Sequence, residues 1–118
     1  MDKDIERLTD IAEELGWKCT EGSDKYYDGT VSLWMKFKQE IPAGKDFIFT
    51  ARGETAYEIA KDVFRYAETF YLLEHVRLDL LAKGGPDYYT LAMDAIEIKE
   101  TMLYELADKL LWGSANWT

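Results

Sequence analysis

The segment VSLWMKFK at residues 31–38 alternates between two sets of side chains, and this alternation decides the fold. One set is apolar throughout, and the other carries Ser32, Trp34 and two lysines. A period of two residues is typical of a β-strand that buries only one face. The pattern returns in DFIFTAR at residues 46–52, and the intervening residues 41–45 (IPAGK) have the composition of a turn. These segments therefore predict a β-hairpin.

A third strand is predicted upstream of this hairpin. The Asp28-Gly29 dipeptide is a strong signal for a two-residue loop, which would pair residues 26–27 with residues 30–31. Residues 17–20 are expected to belong to the same strand, with residues 21–24 forming a bulge or a loop. The simplest arrangement is a three-stranded antiparallel meander.

Helical periodicity replaces the strand pattern on both sides of the meander. Apolar residues recur at helical spacing over residues 4–15, and Gly16 follows where a helix commonly ends. The same spacing returns over residues 55–70. Apolar residues continue through residues 70–73 and blur the end of this pattern, so we expect a bend there, followed by a shorter helix over residues 72–82 that ends at Gly84-Gly85.

The last helix is predicted from Pro86, a residue suited to a first helical turn, to about residue 112. It would be about 37 Å long, against a radius of gyration of about 13 Å for a compact domain. It must therefore cross the molecule, bend, or extend towards a partner. The order α-β-β-β-α-α-α predicts an α+β fold with two to three C-terminal helices packed on one sheet face. We expect a single domain over residues 1–112 and a tail over residues 113–118.

Composition limits the classes of function. The formal net charge of −9 opposes direct binding to nucleic acid or to anionic membranes. Cys19 is the only cysteine, which suits a reducing compartment. The acidic start of the chain does not resemble a signal peptide, and no apolar run approaches the roughly 20 residues of a membrane span. We therefore expect a cytoplasmic protein.

Residues suited to catalysis are scarce. The sequence has no glycine-rich phosphate loop and no G-x-S-x-G elbow, and His75 is its only histidine. Asp79 could orient the His75 ring. The candidate nucleophile would then be Cys19, which is far away in sequence and is expected to be a buried inert thiol. Carboxylate pairs such as Asp94 with Glu97 are typical of a solvated helix face. We therefore predict no catalytic residue, metal site or cofactor, and keep a small metal-dependent enzyme as an alternative.

Two surfaces could bind a partner. The first is the outer face of the sheet, which the predicted helices leave uncovered. Tryptophan and arginine are common anchors at protein interfaces, so this face is a candidate partner-binding surface. The competing interpretations are that a C-terminal segment with Trp112 or Trp117 covers the face, or that lysine stems shield the tryptophan. The predicted binding residues are Trp34, Lys36, Lys38, Ile48 and Arg52.

The second surface is acidic and lies on the last helix. Carboxylates about 5–6 Å apart along a helix could imitate a row of phosphates and occupy a basic nucleic-acid channel. Such a protein would inhibit a nucleic-acid-binding protein, for example one of host defence. The predicted acidic stripe consists of Asp87, Asp94, Glu97, Glu105 and Asp108.

Four short segments carry a resemblance to other proteins: PAGKDFIFT at residues 42–50, EHV at residues 74–76, DAI at residues 94–96 and MLYELA at residues 102–107. Together they resemble a family of small uncharacterised proteins of gut Firmicutes and their phage-like or conjugative elements. The resemblance spans about residues 30–110. It implies an intracellular bacterial protein accessory to a mobile element, and it carries no known activity or site residue.

The preferred hypothesis is a non-enzymatic protein-interaction domain that binds a protein partner, or associates with itself, through the outer face. The acidic inhibitor is the first alternative.

Overall fold

A computed structural model describes residues 3–41, 46–81 and 86–113, and the side chains of residues 3–41, 46–74 and 93–113. The elements are α1 (Lys3–Glu14), β1 (Lys18–Lys25), β2 (Val31–Glu40), β3 (Asp46–Gly53), α2 (Ala56–Leu81) and α3 (Pro86–Trp112). The three strands form an antiparallel sheet in the order β1-β2-β3. The predicted α+β fold, with a meander followed by helices, is confirmed.

The first hairpin differs from the prediction. Strand β1 is continuous through residues 21–24, so the expected bulge or loop there is wrong. The register pairs Lys25 with Val31, and the Tyr26 N–H donates to the Thr30 carbonyl (2.9 Å). The tip therefore has three residues instead of two, which shifts the expected pairing by one position. Gly29 allows this loop because its φ of +88° lies in the left-handed region.

Asp28 holds the loop in this conformation. Its carboxylate accepts hydrogen bonds from the Thr30 hydroxyl (2.7 Å) and the Thr30 N–H (3.0 Å). These hydrogen bonds, the hydroxyl first, hold the pKa of Asp28 below its ordinary value. The hairpin tip is thus fixed by its own polar groups.

Helix α1 ends in a motif that starts the core. The Trp17 N–H donates to the Ala12 carbonyl (3.0 Å) and the Gly16 N–H donates to the Glu13 carbonyl (3.0 Å). These two bonds, with Gly16 at a φ of +92°, form a Schellman motif. The direction of the chain therefore changes at the predicted glycine, and Trp17 packs against the inner face of the sheet.

The inner face of the sheet is covered by the helices. Trp17 makes an edge-on contact with Phe49 (ring centroids 5.5 Å apart), and Phe49 stacks on Phe37 (5.0 Å). Aromatic contacts of this kind stabilise a core beyond the area that they bury. Helix residues complete the core, and those that are fully buried include Leu8, Ile59, Val63, Leu103, Leu106 and Leu110.

Helix α2 runs without interruption from Ala56 to Leu81, so the expected separate helix over residues 72–82 is wrong. Neither glycine nor proline occurs within α2, and the apolar side chains that blurred the pattern do not interrupt its backbone. Gly84-Gly85, the expected end of that helix, lies outside the described residues. Two helices therefore follow the sheet.

The two long helices lengthen the molecule. Its extents are 50 × 34 × 22 Å, and its radius of gyration is 16.0 Å, larger than the roughly 13 Å of a compact domain. Helices α2 and α3 contain 26 and 27 residues, so each is about 40 Å long. Both exceed the roughly 33 Å of the longest strand. The last helix is thus longer than any strand of the sheet.

The start of α2 is fixed by the N-cap residue Thr55 and by the side chain of Glu58. Thr55 Oγ1 accepts the Glu58 N–H (3.2 Å), and the Glu58 carboxylate accepts the Glu54 N–H (2.6 Å). Gly53 permits the close approach of strand and helix, because a Cβ there would lie 2.6 Å from the Cβ of Glu58. Strand β3 therefore passes directly into α2.

Removing this cap should destabilise the fold. We expect Thr55→Ala to lower the free energy of unfolding by about 1 kcal/mol, since the N–H of Glu58 loses its acceptor. Urea denaturation measures the change. Thr69→Ala is the matched control, because Thr69 lies within α2 and its hydroxyl bonds only to carbonyls of the same helix. Equal losses in the two variants would contradict a capping role for Thr55.

Candidate interaction surface

The outer face consists of three rows of side chains that cross the sheet. The register places Trp34 between Gly22 and Arg52, Lys36 between Thr20 and Thr50, and Lys38 between Lys18 and Ile48. Successive strand residues point to opposite faces, so these rows lie on the side away from the buried Met35 and Phe37. The structure therefore brings together all five predicted residues: Trp34, Lys36, Lys38, Ile48 and Arg52.

Trp34 lies against the backbone of β1. A Cβ built on Gly22 would overlap the indole ring, at 2.6 Å from Cε2 and 2.9 Å from Nε1. The indole therefore occupies the space that the side chain of any other residue at position 22 would fill. Trp34 is half-buried by this contact and still lies on the outer face. The sequence prediction missed this contact because it placed residues 21–24 in a loop.

Charge is distributed unevenly over the outer face. Arg52 reaches from β3 across β2 to Asp24 on β1 (3.1 Å), and Lys38 pairs with Asp46 (3.2 Å). These ion pairs are exposed, and such pairs contribute little to stability. Among the described residues, neither Lys18 nor Lys36 forms an ion pair. The outer face therefore carries two unpaired cations in a chain whose net charge is −9.

The outer face is open to solvent along most of its length. Lys36 and Lys38 are exposed, and Ile48 is 46% exposed. Trp112 is itself 75% exposed, so it does not cover this face. Trp117, the other tryptophan proposed as a cover, lies outside the described residues.

The hairpin tip adds two tyrosines that the sequence prediction did not select. Because the loop has three residues, Tyr27 is fully exposed and Tyr26 is about half exposed. An open cleft of about 370 Å³ separates the tip from the start of α2. Its lining residues are Tyr26, Thr30, Val31, Ser32, Arg52, Gly53, Glu54 and Glu58.

The acidic stripe is also exposed on α3. Four of its members, Asp94, Glu97, Glu105 and Asp108, are exposed and form what we call the acidic face. In the described part of the chain none of the four forms an ion pair. The side chain of Asp87, the fifth predicted member, lies outside the described residues.

Clusters of possible metal ligands are not found in the described part of the molecule. Among the described side chains no three His, Cys, Asp or Glu residues cluster as metal ligands do. His75, and with it the proposed pairing with Asp79, lies outside the described side chains. Within the described ranges, no helix has both the length and the apolar character that crossing a membrane requires.

Cys19 lies opposite Phe37 on the inner face and is partly buried. Burial first, and then the carboxylates of Glu13 and Glu21, raise the pKa of its thiol to about 12. A thiol with this pKa stays protonated at neutral pH and is a poor nucleophile.

No protein-family model matches the chain, and neither a curated protein nor a solved structure is similar to it. The functional proposals therefore rest on the geometry of the outer face and of the acidic face.

The contact between Trp34 and Gly22 can be tested directly. We expect Gly22→Ala to displace the indole, because the added methyl group would overlap the ring. The measurement is the indole N–H cross-peak of Trp34 in an NMR spectrum, assigned through Trp34→Phe. Thr20→Ala, one row away on the same strand, is the control and should leave the peak in place. An unmoved peak in Gly22→Ala would refute the contact.

The raised pKa of Cys19 predicts slow thiol chemistry. At pH 8 we expect the folded protein to react with a disulfide reagent about a thousandfold more slowly than the urea-unfolded chain, because thiolate is correspondingly rarer. Equal rates in the folded and unfolded protein would contradict this assignment.

The raised pKa of Cys19 also makes the stability of the fold depend on pH. The pKa of the thiol is higher in the folded than in the unfolded protein, so its contribution to stability is complete below about pH 9. This contribution declines as the pH rises towards 12.

Proposed function

We propose that this chain is a non-enzymatic protein-interaction domain that binds a protein partner through the outer face of its sheet. The observation that carries the proposal is Trp34 held against Gly22 at the centre of an exposed, cationic face. A tryptophan that is already immobilised loses little side-chain entropy on binding, which favours an anchor role.

The neighbouring residues suit the rest of an interface. Arg52 is oriented beside Trp34 by its ion pair with Asp24, and Ile48 supplies exposed apolar area. Aromatic and arginine anchors surrounded by polar residues are the usual anatomy of a protein interface. Because these side chains stand on paired strands, their positions are better defined than they would be on a loop.

A protein fits this face better than a nucleic acid does. Asp24 and Asp46 already pair with Arg52 and Lys38, so few cations remain to neutralise a phosphate backbone. The net charge of −9 also opposes nucleic acid at long range. The resemblance to proteins of mobile elements in gut bacteria supports a bacterial, cytoplasmic partner.

A pull-down from bacterial lysate with paired variants tests the proposal. We expect Trp34→Ala combined with Ile48→Ser to reduce retention of a specific partner by at least about tenfold, since loss of an interface anchor commonly costs 2 kcal/mol or more. Circular dichroism should show unchanged helix content, because both side chains lie on the open face.

The matched control is Tyr57→Ala combined with Leu72→Ser, which removes one exposed aromatic and one exposed aliphatic side chain from α2. It should retain the partner at the level of the unmodified chain. If every retained protein binds the outer-face variant as well as the control, the outer face is not the binding surface.

The exposed acidic face favours a second candidate function, inhibition of a nucleic-acid-binding protein. A partner of this kind would be basic, would compete with DNA or RNA, and would be released by salt. The lysate experiment distinguishes the two functions when it is repeated with Glu97→Gln, Glu105→Gln and Asp108→Asn. Loss of a basic partner in this variant, but not in the outer-face variant, would replace the first proposal by the second.

A further inference from the structure

The acidic face of α3 is complementary to the outer face of the sheet in charge. Lys18 and Lys36 lack ion pairs on the outer face, and within the described residues so do the carboxylates of the acidic face. Opposite charges that are both unpaired can pair across an interface, where they fix orientation and partner choice. The outer face therefore carries unpaired cations, and the acidic face carries unpaired carboxylates.

The two faces also match in apolar character and in length. The α3 surface exposes Ile98 and Trp112 beside its carboxylates, and the outer face carries the exposed Ile48 and the half-buried Trp34 beside its cations. The stretch of α3 from Asp94 to Trp112 is about 27 Å long. The 10 residues of β2 extend over about 33 Å, so the helix fits along the sheet.

The two faces cannot meet within one molecule. Leu103, Leu106 and Leu110, on the opposite side of α3 from the carboxylates, are fully buried in the core. The outer face likewise points away from Met35 and Phe37, which are buried in the same core. Both surfaces thus face outwards from a shared core, and only a second molecule can bring them together.

We propose that the outer face binds the acidic face of α3 from a second copy of this chain. The inference rests on the proposed function, because it names the occupant of that same surface. Symmetric pairing of two outer faces is disfavoured, since it would set the central lysines of one copy against those of the other. The contact is therefore heterologous, and repeated head to tail it produces rings where the rotation between copies closes and open oligomers where it does not.

Association should be weak. The net charge of −9 on each copy opposes it, and a helix on a three-stranded sheet buries less area than a standard interface. We expect the sedimentation coefficient to rise with protein concentration over a range from about 10 μM to 1 mM.

Charge-neutralised variants separate the specific contact from the overall charge. Glu97→Gln with Glu105→Gln removes two carboxylates from the acidic face, and Glu6→Gln with Glu14→Gln removes two exposed carboxylates from α1. Both variants have the same net charge. The α3 variant should lose association by about tenfold, because it lacks charges that pair across the interface. The α1 variant should associate at least as well as the unmodified chain, because less repulsion remains.

A mixing experiment tests the head-to-tail geometry. A second outer-face variant, Trp34→Ala with Lys36→Gln, keeps an intact acidic face. The α3 variant, Glu97→Gln with Glu105→Gln, keeps an intact outer face. Each should be monomeric alone. Together they should form a 1:1 dimer that does not grow further, because only one intact pair of faces remains.

The outcomes divide as follows. A dimer in the mixture, with opposite effects of the α3 and α1 variants, supports the proposal. An unmodified chain that stays monomeric up to about 1 mM, or equal effects of those two variants, overturns it. A monomeric chain that still retains a different protein through Trp34 in the lysate experiment overturns the second copy as occupant and leaves the proposed function standing.

Discussion

The alternation of side chains along β2 is the constraint on which the rest of the structure depends. This strand is central, so both neighbours take their register from it. Met35 and Phe37 are completely buried on one face, while Trp34 and Lys36 stand on the other. Because strand residues alternate between faces, a core on one side requires an exposed surface on the other. The core and the candidate interaction surface are therefore two consequences of one strand.

The junctions at the two ends of the sheet keep this arrangement in place. The Schellman motif at Gly16 satisfies the last carbonyls of α1 and directs Trp17 onto the inner face. At the other end, Gly53 and the Thr55 N-cap let α2 begin directly after β3. Buried residues of all three helices share one core with the inner face, so the helices lie on the same side of the sheet. The outer face is left open for this reason.

Local charge and net charge have opposite signs in this protein, and the proposals depend on that contrast. The chain carries a net charge of −9, yet Lys18 and Lys36 are exposed on the outer face without ion pairs among the described residues. An isolated cationic surface beside an immobilised tryptophan favours a partner with carboxylates and apolar side chains. The exposed surface of α3 provides both, which makes a second copy an occupant of matching chemistry.

The sequence by itself determined the class of fold, because residue periodicity reports directly on which face of an element is buried. The strands β2 and β3, the Gly16 helix end, the identity of the outer-face residues and the acidic stripe all followed from it. Tertiary structure decided the rest. The three-residue loop depends on hydrogen bonds from Thr30 to Asp28, and the continuity of β1 depends on pairing with β2. The placement of Trp34 on Gly22 joins residues on different strands, and no local pattern encodes such a contact. Long-range pairing therefore turned a predicted set of exposed residues into a surface with a defined centre.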